Sequence, residues 1–307
     1  MTIQFRKFLL EKLFLVFAMA CTGLPAISLA AEPLPVTASF SILGDLVQRV
    51  GGNRVAVTTL VGPDEDAHVF EPKPADAKQI LKSKLLVTNG LGFEHWMQKL
   101  AKSAGYQGTT LVASQGVRGR TMPSEAGNGA RESDPHAWQD PTNVMIYVRN
   151  IAVALTKLDP AGAATYQSNS EAYLKELQAM DIWAKEQFAA IHANKRKVIT
   201  SHDAFGYFAA HYQIQFLAPQ GVSTEAEPSA RQVAQLIRQI QREKIKAVFV
   251  ENMTNPKLLA QLSQDAGVMA GAALYADALS AVDKPGATYL QMMRHNVTQL
   301  VRGMRQN

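Results

Sequence analysis

Between Pro160 and the β-rich run at 197–200 lies a stretch, residues 161–192, with no proline and one glycine, Gly162, in its first turn. As a single helix it would be roughly 48 Å long at 1.5 Å per residue. A helix beyond ~25 residues needs an architectural reason. A strut joining two domains is such a reason, and a break near Ala179-Met180 is the alternative. Few architectures accommodate a strut of that length near the middle of a 307-residue chain.

The sequence on both sides of the strut alternates strand and helix signals. Before it, 36–40, 55–61, 85–88 and 109–112 are β-rich. Residues 42–50, 74–82 and 93–104 have helical spacing, the first stopping at Gly51-Gly52. A helix from Pro141 to about Leu158 follows Asp140, with proline in its favoured first turn. After the strut, 197–200, 214–217, 247–250 and 270–274 read as strands. Residues 205–211, 230–244, 257–267 and 288–304 read as helices. Such alternation argues for βαβ units and parallel sheets. The expected fold is α/β: two similar lobes with parallel sheets joined by one long rigid linker helix. The expected division is 31–158 for the N-terminal lobe, 159–194 for the linker and 195–307 for the C-terminal lobe. Residues 116–133 break the rhythm with Gly116, Gly119, Pro123, Gly127 and Gly129, and read as a flexible loop.

The first thirty residues read as a secretory signal peptide. Arg6, Lys7 and Lys12 precede an apolar run over 13–21, and Ser28-Leu29-Ala30 is a small-x-small cleavage pattern. The run is too short to span a membrane. Cys21, the only cysteine, lacks the leucine expected three residues before a lipoprotein cysteine, so lipid anchoring is not the expectation and a free periplasmic protein is. The net charge of +5, with basic residues scattered, is too mild to argue for nucleic acid. No Cys is left for metal ligation if cleavage follows Ala30.

Four residues stand in local contexts that read as one metal site: His68 in an acidic loop after a strand, His136 in Asp134-Pro135-His136, His202 directly after a strand, and Asp277 just after another. Loops at the carboxyl ends of strands line the ligand crevice of an open α/β sheet. Three imidazoles and a carboxylate suit zinc, and four protein ligands leave no open position for chemistry. Each residue also has a plain structural reading. His68 could be an exposed turn histidine, His136 a cap, and His202 the neighbour of a capping Ser201 or Asp203. Asp283 and Glu251 are rivals to Asp277. Asp203 reads as a helix cap before it reads as a partner of an imidazole. His95, His192, His211 and His295 read as surface or capping residues.

The chain resembles the zinc- and manganese-binding substrate-binding proteins of ABC transporters over nearly its whole length after residue 30. The resemblance rests on Ser39-Phe40, Gly44-Asp45, Gly62-Pro63, His68-Val69-Phe70-Glu71-Pro72 and Asn89-Gly90-Leu91-Gly92-Phe93-Glu94 with Trp96. It continues through Asp134-Pro135-His136-Ala137-Trp138-Gln139-Asp140-Pro141, Ser201-His202-Asp203-Ala204-Phe205-Gly206-Tyr207-Phe208, Glu225, Pro228-Ser229 and Val250-Glu251-Asn252. It implies a metal between two lobes, with ligands at His68, His136, His202 and Asp277. Two departures pull in opposite directions. Many zinc members have a histidine-rich loop that 116–133 lacks, and manganese members typically have Glu where this chain has His202.

The expected function is therefore a monomeric periplasmic receptor, not an enzyme, that binds Zn²⁺ and delivers it to an ABC permease in the inner membrane. A manganese receptor (Mn²⁺) is the alternative. A secreted zinc hydrolase, with Glu71 or Glu251 as base, is the contrasting reading; it lacks a His-Glu-x-x-His motif.

Overall fold

The computed structural model describes residues 32–123, 131–225 and 228–307. The signal-peptide reading of 1–30, including Cys21, falls outside the described residues. The first half contains β1 (Leu34–Phe40), α1 (Ser41–Gly51), β2 (Val55–Val61), α2 (Pro74–Lys82), β3 (Leu85–Thr88), α3 (His95–Ala104) and β4 (Thr109–Val112). The strands form one parallel sheet in the order β2-β1-β3-β4. β1 pairs with β2 from Leu34↔Val55 to Phe40↔Val61 and with β3 at Val36↔Leu85. Central parallel strands are covered on both faces. Residues 36–40 of β1 and all of β3 are accordingly buried.

A short antiparallel pair, β5 (Arg120–Pro123) and β6 (Arg131–Asp134), follows. Residues 116–133 are thus not wholly a loop. Four-residue strands of polar composition give no alternation for a sequence reading to detect. Side chains hold the pair instead: Arg131 donates to Thr121 Oγ1 at 2.9 Å and to its carbonyl at 2.6 Å.

α4 (Pro141–Leu158) starts where Asp140 caps the Thr142 N–H. α5 (Ala163–Ala189) is the expected strut, 27 residues and roughly 40 Å, unbroken at Ala179-Met180. It is shorter than the sequence reading because Pro160–Gly162 forms a separate 3₁₀ turn and Ala193–Lys195 another. Tyr166, Tyr173, Leu177, Met180, Ala184 and Phe188 make its buried stripe at three- to four-residue spacing. That stripe lies against α1 and α4 of the first half and against the C-terminal helix of the second. Both halves thereby share one helix as a common wall.

The second half contains β7 (Lys197–Ile199), α6 (Gly206–Tyr212), β8 (Gln215–Leu217), α7 (Ala230–Glu243), α8 (Pro256–Ala266) and α9 (Tyr289–Met304). β7 and β8 are parallel. The runs expected as strands at 247–250 and 270–274 join them only through isolated parallel bridges, Ile199↔Val248, Val248↔Ala270 and Glu251↔Leu274. The architecture is α/β, with a parallel sheet in each half and the long helix packed against both halves. Every strand of both sheets ends toward the loops that carry the candidate site. His211, expected at the surface, is largely buried. Its Nε2 lies 2.7 Å from Asp181 Oδ1 on the strut and its Nδ1 3.4 Å from Asp140. Among the described residues no helix is long and apolar enough to cross a membrane.

Candidate metal centre

The loop after β2 turns at Asp64, whose φ of 58° is left-handed. Asp66 Oδ1 then accepts the His68 N–H at 2.9 Å, an Asx turn that aims the ring inward. Contacts from the second half fix this loop. Thr224 donates to Asp66 Oδ2 at 2.7 Å, Asn252 to Asp64 Oδ1 at 2.8 Å, and the Asp64 N–H to the Leu279 carbonyl at 2.8 Å. Trp96 donates to the Ala67 carbonyl at 2.9 Å.

His136 follows β6 through Pro135, which fixes the approach of the chain. Asp134 Oδ1 accepts the His136 N–H and faces its Nδ1, both at 3.0 Å. His202 follows β7, and Glu251 serves it in the same way. Glu251 Oε1 accepts the N–H groups of Ser201 and His202 at 2.9 and 3.1 Å, and Oε2 pairs with His202 Nδ1. In each ring a carboxylate on Nδ1 fixes the tautomer and leaves Nε2 to face the centre. Asp277 comes from the turn after Leu274. Its neighbour Ala276 is held by two side chains of the first half, with Trp138 Nε1 and Gln139 Nε2 donating to its carbonyl at 2.9 and 2.7 Å.

The four side chains converge, with their potential ligand atoms within 4.8 Å of one another. His68 Nε2 lies 3.3 Å from His136 Nε2 and 3.2 Å from Asp277 Oδ2. His202 Nε2 is 3.1 Å from Asp277 Oδ2, and His136 Nε2 3.5 Å from Oδ1. All four residues are buried. Yet His202 Nε2 and both Asp277 carboxylate oxygens have no hydrogen-bond partner. A buried carboxylate without donors is costly. A cation between the four groups would remove that cost, so the residues fit a metal. Phe93 and Trp138 cover the His68 and His136 rings, with Phe93–His68 and Trp138–His136 centroids 4.8 and 5.2 Å apart, and Phe40 packs against both aromatics.

Electrostatics divides the imidazoles. Burial drives the His68 pKa down, and Asp277 only partly offsets this. Burial also opposes charge on His136, but Asp277 and Asp134 overcome it and hold the ring at about 9. His202 is raised well above its ordinary value by Glu251 and Asp277 against burial. Asp277, despite burial, is held well below the carboxylate range by His136 and His202.

The sequence reading found all four converging residues and missed two that orient them. Asp134 stood two positions from His136, the spacing at which an Asx carboxylate reaches a following N–H. Glu251 is far from His202 in sequence and was considered as a rival to Asp277 and as a hydrolase base, not as a partner of His202. Asp203 does not cap α6, which begins at Gly206 without a side-chain cap. Gly206 also sets the room for Asp134, because a Cβ there would stand 2.5 Å from Asp134 Oδ2. Gly206→Ala should therefore displace the carboxylate from His136 and weaken metal binding by about 10- to 100-fold. Competition titration against a chelator checks this, and wild-type affinity would contradict it.

Comparison with known proteins agrees with this geometry. Residues 36–303 match the family model described as zinc-uptake complex component A periplasmic. A manganese-binding lipoprotein, MntA of Halalkalibacterium halodurans, is 33% identical over 275 residues, covering 90% of each chain. The iron-binding protein YfeA of Yersinia pestis is 30% identical over 276 residues, covering 90% of this chain and 88% of its own. The periplasmic zinc-binding protein TroA of Treponema pallidum superimposes with a TM-score of 0.83 at 26% identity, covering 89% of this chain and 99% of its own. The lipoprotein names among such relatives give no support to the expectation that Cys21 is not acylated. The chain belongs to the zinc-uptake complex component A family of periplasmic metal receptors, which are substrate-binding proteins of ABC transporters and not enzymes.

Proposed function

We propose that the protein is a zinc receptor that holds one Zn²⁺ on His68, His136, His202 and Asp277 and passes it to the permease of an ABC importer. The unpartnered Asp277 oxygens, buried among three imidazoles, carry this reading. Separations of 3.1–3.5 Å between four of the donor pairs are compatible with zinc. Two donors with ~2.0–2.1 Å bonds on a tetrahedral ion stand about 3.3 Å apart. A nitrogen-rich set of four favours zinc by the ordinary affinity order, and manganese prefers more oxygen donors. The manganese and iron names of relatives make manganese the rival. The hydrolase reading loses one of its two candidate bases, because Glu251 is committed to His202 and the Ser201 and His202 amides.

The same reading has a monomer with an N-terminal lobe over 31–158, a linker over 159–194 and a C-terminal lobe over 195–307, exported to the periplasm. Cleavage after Ala30 gives a free protein and acylation at Cys21 a tethered one. The intact mass of the mature chain separates the two. Titration of the metal-free protein with zinc and manganese in competition tests the metal. Zinc should displace bound manganese at equal concentration, and manganese holding its place would overturn the assignment.

A further inference from the structure

Of the four converging side chains only His68 keeps any exposure, 5% against 0% for the other three. It forms part of the wall of a surface cavity of about 340 Å³, together with Phe93, Pro135 and Val222. Two exposed groups stand at the mouth of that cavity. His95 opens α3 in the first half, and Glu225 belongs to the loop before α7 in the second. His95 Nε2 and Glu225 Oε1 are 3.4 Å apart, with side chains 59% and 53% exposed. An exposed pair of this kind adds little to stability. Its spacing, however, is close to the ~3.3 Å edge that two donors make on a tetrahedral ion. Glu132 lines the same cavity.

We propose that His95 and Glu225 form a two-donor capture site where an incoming divalent cation sheds part of its water before reaching His68. This rests on reading the buried cluster as the ion's resting place. With two protein donors the ion keeps several waters, so it is held weakly and moves on. The donor types suit the same borderline cation as the buried set, an imidazole nitrogen and a carboxylate oxygen. Of the four converging residues, His68 is the one that lines the cavity. Its loop is held from the second half by Thr224, the residue before Glu225.

A waypoint on the path lowers the barrier in both directions by the same factor. Zinc capture by the metal-free protein can be followed by stopped-flow fluorescence of Trp138, whose ring lies 5.2 Å from that of His136. Release can be followed on mixing the zinc-loaded protein with excess chelator. His95→Ala should slow capture and release together, by about fivefold or more. Glu225→Gln should act likewise, and the double variant should fall short of the product of the single effects. Wild-type rates in His95→Ala would overturn the proposal. So would a slowing confined to Glu225→Gln that high salt abolishes, because a distant field would then explain it. Loss of retained zinc in His95→Ala after dialysis would also overturn it, by making the mouth part of the resting site. His136→Ala, run in parallel, tests the buried site separately. If that variant retains zinc, the reading of the cluster fails whatever the mouth does.

Discussion

Asp277→Ala should cost more zinc affinity than any other single change in the protein, about 3–5 kcal/mol for breaking a buried charged cluster. That is roughly a 10²- to 10³-fold or larger rise in Kd. Asp277 is the one acid among the four, and its two oxygens reach all three imidazoles within 3.1–3.5 Å. Removing it takes away the anion that offsets the ion's charge. It also leaves His136 and His202, whose raised pKa values depend partly on Asp277, facing each other without it. The Ala276 carbonyl would still be held by Trp138 and Gln139, so the loop should stay in place and the loss should be chemical rather than structural. Asp277→Asn separates the two contributions, since it keeps the shape and drops the charge. Calorimetric titration with zinc checks both variants. Near-wild-type affinity in Asp277→Ala would mean that the ion rests elsewhere.

The second large effect is a coupling between pH, stability and metal. His136 is held at about 9 in the folded protein against an ordinary 6.5, and His202 is shifted in the same direction. A raised folded pKa means that the folded state binds the proton more tightly than the unfolded state does. The resulting stability is fully present below about pH 6.5 and is lost as pH rises through about 9. Without metal, the melting temperature should therefore fall between pH 6.5 and 9. With zinc bound the rings are metallated and that slope should vanish. Zinc binding at pH 7 should release on the order of two protons, because ligating rings must be deprotonated. His68, lowered by burial, should contribute none of them. Calorimetry in buffers of different ionisation enthalpy counts the protons, and a count of zero would contradict the electrostatic reading. Asp277 has the opposite sign. Its depressed pKa contributes stability above the ordinary carboxylate value and loses it as pH falls below that value.

These effects depend on residues of unequal legibility in the sequence. The four converging residues were readable because each sits in a short context of unusual composition, and because His202 follows a strand-like run directly and His68 and Asp277 follow one by a few residues. Asp134-Pro135-His136 and Ser201-His202-Asp203 are examples. The first-half sheet was readable because its central strands β1 and β3 are buried on both faces and its helices keep a clean apolar spacing. Other features left no local trace. The β5–β6 pair is held by Arg131 and Thr121 rather than by alternation. Val248 and Ala270 join the second sheet by single bridges, although their runs look like full strands. Glu251 and His202 meet only because neighbouring strands end side by side, a fact about sheet order rather than spacing. His211 reads as a helix-end histidine until the strut brings Asp181 against it.

One measurement bears most directly on the central claim: a crystal structure of the zinc-loaded protein with anomalous diffraction collected across the zinc edge. The account predicts a single strong peak bounded by His68 Nε2, His136 Nε2, His202 Nε2 and an Asp277 oxygen, at about 2.0–2.2 Å from each, with no water on the ion. A peak elsewhere, or an ion at this place that keeps water and fewer than four of these side chains, would contradict it.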